Sequence, residues 1–164
     1  MNKRLEQTAK DITELKVQGA VSIALAADNA MESVIKESKA GTRAIFLKEL
    51  EDAGNVLIKT RPSAVALPNA VKQFVKEVKK LKSDLPKLKK DALAVGKKLM
   101  KDITETISDI AKIGASLIED GDVIMIHCHS STVIEVMKAA RNSGKVFEVF
   151  CRETRPWGQG YVSA

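Results

Sequence analysis

The stretch Asp122-Val-Ile-Met-Ile-His-Cys-His-Ser-Ser131 constrains the fold more than any other part of the chain. Val123, Ile124, Met125 and Ile126 form an unbroken apolar run of strand length, and Thr132 to Arg141 carries Val133, Val136, Met137 and Ala140 at helical spacing. After an Asn142-Ser-Gly144 turn, Val146-Phe-Glu-Val-Phe-Cys151 repeats the strand signal. This order predicts a βαβ unit whose parallel strands are buried. His127, Cys128, His129, Ser130 and Ser131 then fall at the carboxyl end of the first strand, where open α/β sheets bind ligands.

Cys128 is the candidate reactive group in that cluster. Thr132-Val-Ile-Glu135 has capping-box spacing, which brings the first amides of the helix near the Cys128 backbone. A helix N-terminus and flanking imidazoles both favour a thiolate. The alternative is a small buried hydrophobe, the usual station of an unpaired cysteine. A metal site from His127, Cys128 and His129 is set aside. Strand alternation turns Cys128 away from both histidines, and no CxxC or HxxxH spacing supplies further ligands.

With 45% apolar and 29% charged residues the chain has the composition of a soluble globular protein, and a reducing cytoplasm is the default for its two cysteines. No apolar segment suggests a signal peptide or membrane span. The net charge of +6 is unevenly placed. Between Lys72 and Lys101, eleven lysines stand against Glu77, Asp84 and Asp91, a local surplus of eight positive charges. Nucleic-acid binding is one reading of such a patch. No arginine is interleaved to grip phosphates, so the reading taken is a solvated pair of helix faces.

The rest of the chain predicts helices. Leu5, Ala9, Ile12 and Leu15 give an amphipathic helix over 3–16 that stops at Gly19, and an alanine-rich helix follows over 20–36. A third spans about 43–52. Pro62 suits the first turn of a fourth helix running to about Lys82, which Pro68 should kink. Arg61 would then lie beside that helix's positive end, a place that accepts an anion, although a plain surface arginine is the alternative. From Asp84 to Ile118 apolar residues recur every three or four positions, a rod of about 50 Å. The fold class expected is therefore α/β, with an N-terminal all-α domain over 1–119 and the first strands of a Rossmann-like sheet over 120–164. Two parallel strands and one helix leave an open edge and an uncovered face, so either a partner covers them or the sequence is incomplete.

Four segments carry a resemblance: Gln18-Gly-Ala20, Thr60-Arg-Pro-Ser-Ala-Val-Ala-Leu-Pro-Asn69, Gly121 to Ser130, and Glu153-Thr-Arg-Pro-Trp-Gly-Gln-Gly160. Together they resemble the family that unites archaeal ribose-1,5-bisphosphate isomerase, methylthioribose-1-phosphate isomerase and the regulatory subunits of translation initiation factor 2B. His-Cys-His-Ser and Glu-Thr-Arg-Pro-x-x-Gln-Gly look most like the ribose-1,5-bisphosphate isomerase branch. The resemblance implies a homo-oligomer, dimer or hexamer, that isomerises a sugar phosphate, a reaction for which no metal or nucleotide cofactor is chemically required. It implies that Cys128 is catalytic and that Arg61, Arg155 and the backbone near Gly19, Ala20 and Ser130 hold phosphates. It also places the family's catalytic aspartate beyond Ala164, so that residues 1–164 alone are expected to be inactive. One departure is visible: Gln18-Gly-Ala-Val21 stands where the isomerases carry Arg-Gly-Ala-Gly. That loss favours an alternative, a non-catalytic scaffold resembling the initiation-factor subunits, whereas retention of Cys128 opposes it.

Overall fold

The computed structural model describes residues 2–62 and 64–164. Ser63, within the Thr60 to Asn69 stretch, lies outside the described residues. Two compact units form, Met1–Asp102 and Ile103–Ala164, and the division falls inside one long helix.

The first unit is helical. Helix α1 (Lys3–Thr13) starts at Asn2, whose side chain accepts from Leu5 N at 2.9 Å. It ends three residues earlier than the apolar spacing predicts, because Leu15 takes a left-handed conformation (φ 58°) and the amides of Lys16 and Val17 return to Asp11 O. Helix α2 (Ala20–Glu37) buries Ala24, Ala27 and Ala30. Helix α3 (Arg43–Thr60) is capped by Thr42, whose hydroxyl accepts from Ile45 N. It runs eight residues past the expected end at Asp52. Gly54 does not break it, since its bare face lies against the next helix: a Cβ there would come 2.7 Å from Val71 Cγ1.

Helix α4 (Ala66–Lys80) corrects the reading of the two prolines. Pro62 precedes the helix, and Pro68 is its third residue, where the missing N–H had no intrahelical partner to lose. No kink is required. Phe46, Ile12, Leu50, Leu57, Leu67, Leu88 and Val78 make the fully buried centre of this unit. Some of the lysine surplus is tied down around it. Lys79 pairs with Glu51, Lys80 with Glu77, and Lys89 donates to Ser38 O while lying over the Phe46 ring. Phe74, the one aromatic between Lys72 and Lys101, is buried in the core.

Helix α5 (Leu85–Ser116) is the predicted rod of 32 residues. Asp84 opens it, its side chain accepting from Lys87 N and its carbonyl from Leu88 N. In the second unit β1 (Val123–Ile126) pairs in parallel with β2 (Glu148–Cys151), Val123 opposite Glu148 and Ile126 opposite Cys151. Helix α6 (Ser131–Asn142) connects them. The expected α/β arrangement, helices first and a parallel βαβ unit after, is present. The second strand starts two residues late, because Val146 bonds the turn before β1 instead of the ladder: its N donates to Asp120 Oδ1 and its O accepts from Gly121 N. Nor is β1 buried as predicted. Only Ile126 is, while Val123 and Met125 are 64% and 66% exposed. No helix among the described residues is long and apolar enough to cross a membrane.

Candidate active site

The site begins where β1 stops. Ile126 is buried and anchors the strand end, and two residues on, Cys128 adopts φ 68°, a left-handed conformation costly for a residue with a Cβ. Its surroundings hold it there. Cys128 N donates to Thr154 Oγ1 at 2.8 Å, and Cys128 O accepts from Ser163 Oγ at 3.2 Å. Thr154, itself at φ 61°, donates the same hydroxyl to Arg152 O. The Ser163 hydroxyl also meets His129 Nδ1 at 3.0 Å, so with its hydrogen on Cys128 O the imidazole nitrogen is the donor. Two main-chain contacts and a strained torsion therefore fix the direction of one thiol.

The Cys128 sulfur is half-buried and donates to Gln159 Oε1 at 2.9 Å. Cys151, the other free thiol, ends β2 and donates to Gly160 O at 3.1 Å. A cleft of about 260 Å³ opens beside Cys128, with Ile126, His127, Ser130, Val133 and Ser163 among its walls. Ser130 is the true N-cap of α6: its hydroxyl accepts from Val133 N at 3.4 Å, two residues earlier than the capping box predicted at Thr132. The helix consequently starts closer to Cys128 in sequence. The first-turn amides of a helix that lack intrahelical partners suit an anion, and those of α6 follow directly on Ser130.

Of the other residues the sequence singled out, Arg155 does not line this cleft. Its side chain is 83% exposed and its Nε donates to Glu153 Oε2 at 2.7 Å. Gly19, Ala20 and Arg61 belong to the first unit. Gly19 (φ 84°) is the N-cap of α2 with no side-chain cap bond, and Ala20 is the first residue of that helix. Arg61 follows the carboxyl end of α3 as its C-cap, not the amino end of α4, because four further residues intervene before Ala66. Helices α2 and α3 pack together across a connection of five residues, Gly19 lying at the start of the first and Arg61 at the end of the second. Thr154, Gln159 and Ser163 escaped the sequence reading as individual residues. The only signal for Thr154 and Gln159 was the Arg152 to Gly160 cluster at the strand end, which marks a loop without saying which side chain turns inward, and Ser163 lies beyond that cluster.

The model of the Initiation factor 2 subunit family matches residues 16–164. Ribose 1,5-bisphosphate isomerase of Pyrococcus furiosus is 39% identical over 161 residues, which is 96% of this chain and 50% of the relative. The protein of that name from Methanocaldococcus jannaschii is 36% identical, over 98% of this chain and 50% of its own. Among solved structures, 5-methylthioribose 1-phosphate isomerase from Pyrococcus horikoshii OT3 superposes with a TM-score of 0.83 at 27% identity, over 96% of this chain and 46% of that one. The chain thus spans about half the length of the relatives it matches.

Proposed function

Because the chain belongs to the Initiation factor 2 subunit family, we propose that it carries the catalytic thiol of a sugar-phosphate isomerase that converts ribose 1,5-bisphosphate to ribulose 1,5-bisphosphate. The observation that carries this reading is Cys128, fixed by its backbone at the mouth of a cleft where a helix begins. The names of the relatives supply the substrate class.

A pentose phosphorylated at C1 cannot open to a free aldehyde, which closes the ordinary aldose route. In the proposed reaction the Cys128 thiolate takes the proton from C2, the electron pair forms a C1–C2 double bond, and the C1 bond to the ring oxygen breaks as that oxygen is protonated. The resulting enol returns to a ketone when its C2 hydroxyl loses a proton and C1 gains one, which the Cys128 thiol can supply. The acid at the ring oxygen is assigned to the part of the relatives that this chain does not span. Arg61, Arg155 and the amides at Gly19, Ala20 and Ser130 are proposed to hold the two phosphates, with Arg155 exchanging Glu153 for a phosphate oxygen. Residues 1–119 would form the helical domain and 120–164 the part that bears the thiol. Assembly into a homo-oligomer and a cytoplasmic location belong to the same proposal.

A second reading, a scaffold that binds a phosphorylated metabolite or protein partner without turnover, is favoured by Gln18 and Val21 in place of charged or glycine residues near Gly19. The two separate in one assay, conversion of ribose 1,5-bisphosphate by the gene product that carries this chain. Cys128→Ser is expected to lower kcat by about 10²–10⁴-fold with little change in KM. A parent protein that binds the sugar phosphate without converting it, or a serine variant as fast as the parent, would install the scaffold reading instead.

A further inference from the structure

Gln159 has no part in the proposed chemistry, yet its carboxamide oxygen is the hydrogen-bond acceptor of the Cys128 sulfur at 2.9 Å. Its position is set by the residue after it. Gly160 is buried, and a Cβ there would come 1.8 Å from Arg152 O, so only glycine permits the backbone to press against the end of β2. Gly160 N donates to Glu153 O at 3.1 Å, and the Cys151 thiol donates to Gly160 O. Gly158 (φ 60°) turns the chain into the short 3-10 helix Gln159–Val162, and Ser163 beyond it donates to Cys128 O. The segment is fastened on both sides of the sulfur. Gln159 therefore reaches Cys128 from a fixed base.

A carboxamide offers two ends to a thiol that exchanges its proton. Its oxygen accepts from S–H, and after a half-turn of the terminal torsion its N–H donates to S⁻. We propose that Gln159 is a positioning residue for Cys128, aiming the sulfur into the cleft and remaining bonded to it in both protonation states. The inference rests on the reading of Cys128 as a proton-transferring group. It concerns the thiol alone, however, and is tested without any sugar phosphate.

The test is the rate at which iodoacetamide alkylates Cys128 as a function of pH, with Cys151 as reference in the same molecule and peptide mass spectrometry as readout. Two substitutions keep the length of the side chain. Gln159→Glu places a like charge against the thiolate and is expected to slow Cys128 about tenfold at neutral pH. Gln159→Met removes the N–H that bonds the thiolate and is expected to slow it about threefold. In both, the rate should approach the parent's at alkaline pH, while Cys151 is unchanged. Equal rates at neutral pH, or a difference by the same factor at every pH, would overturn the proposal, the latter because it reports altered access alone. Should the glutamate variant not fold, the methionine variant decides by the same criterion. Failure of the isomerase assay leaves this result standing, and the converse holds too.

Discussion

Asp28 shows how one side chain can work against the fold that holds it. It lies on α2, half-buried, with its carboxylate over Gly96, where a Cβ would come 2.6 Å from Oδ1. Burial first, and then the charge of Glu32 one turn away, raise its pKa above the usual 3.8. The sign follows from linkage: the folded state binds this proton more tightly than the unfolded chain does, so stability rises as pH falls through the raised value, and the charged form is a burden at neutral pH. Asp28→Asn is therefore expected to raise Tm at pH 7, with the gain shrinking to nothing below the ordinary carboxyl range. Thermal unfolding at pH 7 and pH 4 measures it; a variant less stable at pH 7 would show that the carboxylate has a compensating role. Nothing in the sequence marks Asp28, because its cost depends on which residue of a helix some seventy positions away has no side chain. Cys128 was legible for the opposite reason. Its signal is local, a polar cluster between an apolar strand and a periodic helix, whereas its partners Thr154, Gln159 and Ser163 come from a loop whose inward side no periodicity declares.

At the scale of elements, what the sequence conceals is mostly where helices end. Apolar spacing located α2, α5, β1 and α6 to within two residues, since each is bounded by a strong breaker or cap such as Gly19, Asp84, Gly121 or Ser130. It lost α3 after Asp52, because a glycine in mid-helix looks like a stop unless its packing partner is known. The partner is Val71 on α4, itself buried. This close approach makes a prediction about both helices. Gly54→Ala should gain helix propensity yet still destabilise the protein by about 1–2 kcal/mol, because the added methyl meets a branched core side chain in a packed interior. Combining it with Val71→Ala should cost less than the two single changes added together, as expected for residues that compete for one space. Denaturant unfolding of the four proteins closes the cycle. An alanine variant as stable as the parent would mean that α3 and α4 can separate freely.

At the scale of the whole molecule the two units differ in how they treat their apolar residues. The first unit encloses Phe46, Leu50, Leu57 and Leu67 completely, while the second presents Val123, Met125, Phe150, Trp157 and Tyr161 to solvent. Met125 and Phe150 are opposite one another in the parallel register and 66% and 60% exposed, so they share one uncovered face of a sheet of two strands, each with a free edge. Burying side chains of this size is worth about 1.5–3 kcal/mol apiece, which makes association through that face favourable even before any strand edge is paired. The purified chain is accordingly expected to self-associate, with a light-scattering mass above that of the monomer and rising with concentration. Replacing Met125 and Phe150 together with glutamate should return it to the monomer while leaving the helical circular dichroism unchanged, because neither residue contributes to the buried core. A parent that stays monomeric across that concentration range would show that the exposed face is tolerated in water, and would remove the argument that it is an interface.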